Sequence, residues 1–150
     1  MILAVDPGPV QSAFVLWDGA KIQDKGILEN ADMLHVGLGF ECPAVVEMIQ
    51  SQGQRVGATT FETVFWIGRF FEAWRKPGDA DSVQRIYRLD VKLHICQSAR
   101  AQDADIRRVL LDRFGEKGTK ARPGSTYGLA KDMWQAFALA VTWWDTRRTG

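Results

Sequence analysis

The chain has 150 residues, 46% of them hydrophobic and 25% charged, a composition that describes one soluble domain with one core and excludes a disordered or fibrous chain. No apolar run reaches the roughly 18 residues of a membrane span and the N-terminus has no basic leader, so a cytoplasmic protein is expected. The net charge of +1 hides an asymmetry: residues 1–50 hold two basic and seven acidic side chains, residues 51–100 eight and five, and residues 101–150 nine and six. The basic two-thirds permits a polyanionic partner without requiring one.

In chain order, residues 1–6 read as a buried strand and Ser12 to Trp17 as a second. Asp18-Gly19 is a hairpin turn into a third strand at about 21–28. Asn30 or Asp32 is placed to cap a short helix before Gly37 and Gly39. Residues 43–48 are apolar on both faces, as in a central parallel strand, and Gln50 to Gly57 is a polar loop. A helix capped by Thr59 or Thr60 runs to Trp74 and is stopped by Lys76-Pro77-Gly78-Asp79. Val83 to Leu89 reads as a fifth strand, and Ala104 to Phe114 as an amphipathic helix ended by Gly115. Glu116 to Thr126 is a polar, basic loop expected to be mobile until it meets a ligand. A last apolar helix spans about Leu129 to Thr146. No repeat or linker divides the chain, so one domain covers residues 1–150.

Three acids stand out. Asp6 ends the run Ile2-Leu3-Ala4-Val5 and precedes Pro7-Gly8; Glu47 ends Ala44-Val45-Val46; Asp132 opens the last helix. A carboxylate at the end of a buried strand is costly unless paired or bound to a metal. Each acid alone also reads as a cap, a salt bridge or a strand-end residue, and Asp132 reads equally as a helix cap. Together they point to a carboxylate cage for hard divalent cations. Two Mg²⁺ ions about 3.5–4 Å apart can hold the attacking water and the leaving oxygen of a phosphodiester. Asp6 would bridge the ions, with Glu47 on one and Asp132 on the other, and Mn²⁺ would substitute. Cys42 and Cys96 lack metal-site spacing and read as reduced structural thiols; His35 and His94 likewise read as structural.

The element order β-β-β-α-β-α-β-α-α, with acids ending the first and fourth strands, describes an α/β, RNase H-like fold. Its mixed five-stranded sheet has order 3-2-1-4-5 and is flanked by helices. On Ile2-Leu3-Ala4-Val5-Asp6-Pro7-Gly8 with Ser12 following, on Val45-Val46-Glu47, and on Asp132-Met133-Trp134-Gln135-Ala136, the chain resembles the RuvC Holliday junction resolvases. The stretches 53–57, 61–70 and 103–107, with Tyr127-Gly128, bring it closer to the compact RuvC-like endonucleases of bacteriophages.

That resemblance implies a homodimeric, Mg²⁺-dependent endonuclease that cuts four-way junctions and other branched DNA, including forks and flaps, with no membrane role. Where many RuvC proteins place a fourth carboxylate this chain has Gln135. It either presents its carbonyl to an ion or packs between helix and sheet. By the same resemblance Lys92 and Arg100 lie near the scissile phosphate. Lys117, Lys120, Arg122 and Lys131 are placed to hold backbone phosphates, although Lys117 and Lys120 read slightly better as part of a solvated loop. The aromatic positions 61–74 leave an apolar face beyond what a core needs, which suits a second subunit. The rival expectations are hydrolysis of RNA–DNA hybrids, and junction binding without cutting.

Overall fold

The computed structural model describes residues 1–148. Strands β1 (Ile2–Asp6), β2 (Gln11–Trp17) and β3 (Ile22–Glu29) form an antiparallel meander. Helix α1 (Asn30–Leu38) leads into β4 (Ala44–Met48), and α2 (Ala58–Trp74) into β5 (Val83–Tyr87). Three helices complete the order: α3 (Arg88–Cys96), α4 (Asp103–Phe114) and α5 (Met133–Arg148). The sheet order is β3-β2-β1-β4-β5, with β4 parallel to both of its neighbours. This is the expected mixed sheet.

Side chains alternate across the pleat, so each strand feeds two cores. Ile2, Ala4, Val15, Trp17 and Val45 face α3, α4 and α5. Leu3, Val5, Phe14, Leu16 and Val46 face α1 and α2, where Met33, Ile67, Phe70 and Trp74 close the layer. By the same parity Asp6 and Glu47 belong to the α5 side of the sheet. Helix α5 has no solvent face over Trp134–Trp143, since every residue there is buried. Such a helix is held by packing on all sides. Trp17 anchors it, meeting Phe137 edge-on at 5.6 Å. Across the sheet α1 and α2 touch closely: a Cβ on Gly37 would fall 2.2 Å from the Trp74 indole, whose Nε1 donates to the Leu34 carbonyl.

Several boundaries differ from the sequence reading. The fifth strand ends at Tyr87, not Leu89, and residues 88–96 form helix α3, which the sequence reading lacks. Only Val91 and Ile95 of that helix are buried, a spacing of one turn diluted by charged neighbours. Neither Asn30 nor Asp32 caps α1, whose N-cap is Glu29. The N-cap of α2 is Gly57, leaving Thr59 and Thr60 inside the first turn. Helix α5 starts at Met133 rather than near Leu129, because Lys131 takes a left-handed φ of 50° and breaks the helical path. The loop at 116–126 folds back on itself, with Gly124 N donating to the Lys117 carbonyl at 2.8 Å and Thr119 N to that of Arg122 at 3.0 Å. Among the described residues no helix is long and apolar enough to cross a membrane.

Candidate active site

The parallel register pairs Val5 with Val46, so the next residues, Asp6 and Glu47, leave the sheet side by side. Beyond β1 the chain turns through Pro7, Gly8 and Pro9. Gly8 N donates to Ser12 Oγ at 3.4 Å, and Asn30 Nδ2 donates to the Gly8 carbonyl at 3.0 Å. A Cβ on Gly8 would lie 2.5 Å from the Gln11 carbonyl oxygen, so only glycine fits this turn. The Asp6 backbone is therefore held by β1 on one side and by a buried Ser12–Asn30 pair on the other.

Asp6 and Glu47 open into a cleft of about 380 Å³ lined also by Pro7, Gly8, Pro9, Ile49, Thr59, Thr60, Thr63, Arg88 and Asp132. The N-terminal part of α2 supplies the three threonines and the turn before α5 supplies Asp132. Glu47 is 3% exposed. Its Oε1 accepts from Arg88 Nη1 at 3.4 Å, while its Oε2 is buried without a hydrogen-bond partner. Arg88 also pairs with Asp103, the first residue of α4.

Burial is the first cause that lifts the Asp6 carboxyl well above the usual carboxylate range. The adjacent Glu47 and then Asp132 add to it, and Arg88 opposes it. Glu47 is lifted too, again chiefly by burial, with Arg88 and then a hydrogen bond with the neighbouring Asp6 carboxyl pulling the other way. Two buried carboxyls this close cannot both stay charged cheaply without a cation between them.

Glu47 Oε2 is an unspent buried acceptor, and Asp6 is a second hard oxygen donor beside it. Both favour a divalent cation. Among the described residues no three His, Cys, Asp or Glu side chains stand close enough to enclose an ion by themselves. Asp132 is exposed at the cleft's lip, so phosphate oxygens and water would complete any coordination shell.

The other sequence-derived candidates scatter. Gln135 is buried in the first turn of α5 and does not line the cleft. Lys92 lines a smaller groove with Gln50, Gln52 and Leu89, which shares Ile49 and Arg88 with the cleft and so continues it. Lys117 lies 5.9 Å from the centre of the Trp134 ring, which Arg107 also approaches at 5.1 Å. Arg100, Lys120, Arg122 and Lys131 are exposed on loops. Two further acids stand at the start of α4: Asp105 caps the helix in a reciprocal box with Gln102, whereas Asp103 pairs with Arg88.

The sequence reading missed Arg88 and the threonines. The signal for Arg88 was available: Val91 and Ile95, four apart, mark a helix beginning beside the end of β5. The threonines carry no such mark.

The fold built this way is that of RuvC. A structure of RuvC from Thermus thermophilus superposes with a TM-score of 0.66 at 18% identity, covering 99% of this chain and 96% of that one. T. thermophilus RuvC in complex with a Holliday junction substrate gives the same TM-score at 16% identity, covering 99% and 95%. No family model and no curated protein matches the sequence. At this identity the likeness is one of fold.

Proposed function

We propose that this chain is a structure-selective endonuclease that hydrolyses phosphodiesters of branched DNA, with four-way Holliday junctions as its main substrate. The observation that carries this reading is the pair Asp6 and Glu47, side by side at the C-terminal ends of β1 and β4 with one buried Glu47 oxygen unpartnered. Support comes from the shared fold and from a neighbour of that fold bound to a Holliday junction.

Asp6, Glu47 and Asp132 would hold Mg²⁺, two ions in the fullest form, with Mn²⁺ as substitute. Bound there, the metal would polarise water and steady the leaving oxygen. The chain itself supplies the rest. The strand ends position the two buried carboxylates side by side, and the Gly8 turn forms part of the cleft wall. Arg88 offsets their charge. Lys92 in the adjoining groove would take a neighbouring phosphate, and Arg100, Lys117, Lys120, Arg122 and Lys131 would add salt-dependent affinity for the arms.

We infer a homodimer, supported by α2, where Phe61, Val64, Phe65 and Gly68 form an exposed stripe at helical spacing, Phe61 being 65% and Phe65 58% exposed. Two copies related by a twofold axis would present two clefts to two strands of a junction. We place its work in DNA recombination or packaging for a bacteriophage, in the host cytoplasm.

One observation favours a second reading, junction binding without cutting: the acids do not close round an ion by themselves. A gel assay separates the two. End-labelled four-way junction, linear duplex and RNA–DNA hybrid are incubated with Mg²⁺, Mn²⁺ or EDTA, for the native chain and Asp6→Asn. Symmetric junction nicks that disappear in EDTA and in Asp6→Asn support the resolvase. Binding without nicks in either metal supports the binding protein, and preferential loss of the hybrid supports an RNase H-type hydrolase.

A further inference from the structure

Among the described residues lining the cleft Arg88 is the only cation, and it stands between two acids of very different standing. Glu47 is almost wholly buried, while the Asp103 side chain is 60% exposed. The guanidinium gives its closer contact to Asp103 and reaches Glu47 only at 3.4 Å, so the second Glu47 oxygen has no donor but the neighbouring Asp6 carboxyl when that is protonated. A buried carboxylate served this weakly is open to a better partner. A guanidinium keeps its charge at every accessible pH, so it cannot step aside by losing a proton. It can only move or be repelled. Asp103 offers it a place to go on the solvent side, within the reach it already has.

We propose that Arg88 and a divalent cation are competing partners of Glu47, and that Asp103 is the seat Arg88 keeps when the cation takes Glu47. This rests on the cleft being a cation site. Arg88 is then a positioning residue that sets how tightly the cleft takes metal, and Asp103 acts through it. The arrangement also explains why the first residue of α4 carries an acid that its capping box, made by Gln102 and Asp105, does not use.

The test is Mn²⁺ binding by the full chain without DNA, followed by the electron paramagnetic resonance of free Mn²⁺. Removing the guanidinium charge with Arg88→Gln removes a like charge next to the ion, and binding tightens roughly three- to thirty-fold. Arg88→Met gives the same direction if the glutamine hydrogen-bonds in an unforeseen way. Asp103→Asn drives Arg88 back onto Glu47 and weakens binding by a similar factor. The double variant decides the route: with Arg88→Gln already present, Asp103→Asn changes binding by less than about twofold. An Asp103 effect that persists undiminished in the Arg88→Gln background is a plain field effect and overturns the seat. Unchanged or weaker Mn²⁺ binding in both Arg88 variants, with melting in EDTA still cooperative, overturns the competition while leaving the cation site standing. If Asp6→Asn and Glu47→Gln leave Mn²⁺ binding untouched, the cation site itself fails, and the competition with it.

Discussion

Ser12 donates its hydroxyl hydrogen to Asn30 Oδ1 at 2.6 Å, joining the start of β2 to the start of α1 underneath the Asp6-Pro7-Gly8 turn. Both residues are buried, and Asn30 uses its other side-chain atom on the Gly8 carbonyl. Asn30→Ala takes the acceptor from the buried Ser12 hydroxyl and the side-chain donor from the Gly8 carbonyl, so it costs about 1–3 kcal/mol. A urea titration reads that loss as a lower midpoint at unchanged slope. If junction cutting falls further than the stability loss explains, the pair also sets the pose of Asp6.

The buried acids give a particular pH dependence. Asp6 and Glu47 are raised above their ordinary values in the folded chain, so between those values and the raised ones the folded state holds more protons than the unfolded state. Stability in EDTA therefore falls as pH rises through that window. Asp6→Asn removes the penalty and melts higher than the native chain near neutral pH in EDTA. Saturating Mn²⁺ reverses the ranking, because the native chain gains about 2.7 kcal/mol at a hundred times its dissociation constant. A melting series in EDTA and in Mn²⁺ checks both halves.

Asp145 works in the opposite sense. Arg113 donates to it from Nη1 at 2.6 Å and Nη2 at 2.9 Å, and His94 Nε2 lies 2.9 Å away, which ties α3 and α4 to α5. The Arg113 hydrogen bonds hold the Asp145 carboxyl below its usual range. Its contribution is present above the ordinary carboxylate value and is lost as pH falls through the depressed one. Since the Arg113 side chain is 45% exposed, Asp145→Ala costs only about 1 kcal/mol near neutral pH. Chemical denaturation at neutral and at strongly acidic pH checks it: the difference between the two chains shrinks in acid.

The exposed stripe on α2 predicts a dimer broken by Phe65→Glu. The Phe65 ring meets Trp66 edge-on and Arg69 lies over it, but its outer face is open. Sedimentation equilibrium should give a dimer for the native chain and a monomer for the variant, with melting temperature in dilute solution little changed. A monomeric native chain at tens of micromolar would overturn the interface.

Much of this architecture is legible from sequence because the strands announce themselves. Asp6 and Glu47 each follow an unbroken apolar run, and a carboxylate in that position has few cheap explanations. The sheet order follows from a hairpin meander and two crossover helices. What escaped is the relation between distant residues. Arg88 is unremarkable in sequence among the charged residues around the β5–α3 junction, and its partners lie 41 and 15 residues away. The caps of α1 and α2 escaped for a different reason: several residues could fill each position, and tertiary contacts chose. Asn30 is drawn to Ser12 and Gly8 instead of to its own helix, and Gly57 precedes two threonines that point their service elsewhere. Gln135 escaped because helical spacing from Asp132 cannot say whether the side chain faces the cleft or the sheet.

Helix α5, buried along Trp134–Trp143, ties the site to the fold as a whole. A helix with no solvent face cannot fray inward one turn at a time without opening the core, so its amide hydrogens should exchange only through global unfolding. Asp132 sits at its threshold. Heat should therefore not soften the cleft before it destroys the molecule: activity and ellipticity should decay on a single curve, and any variant that retains the helix core retains the placement of the acid at its start.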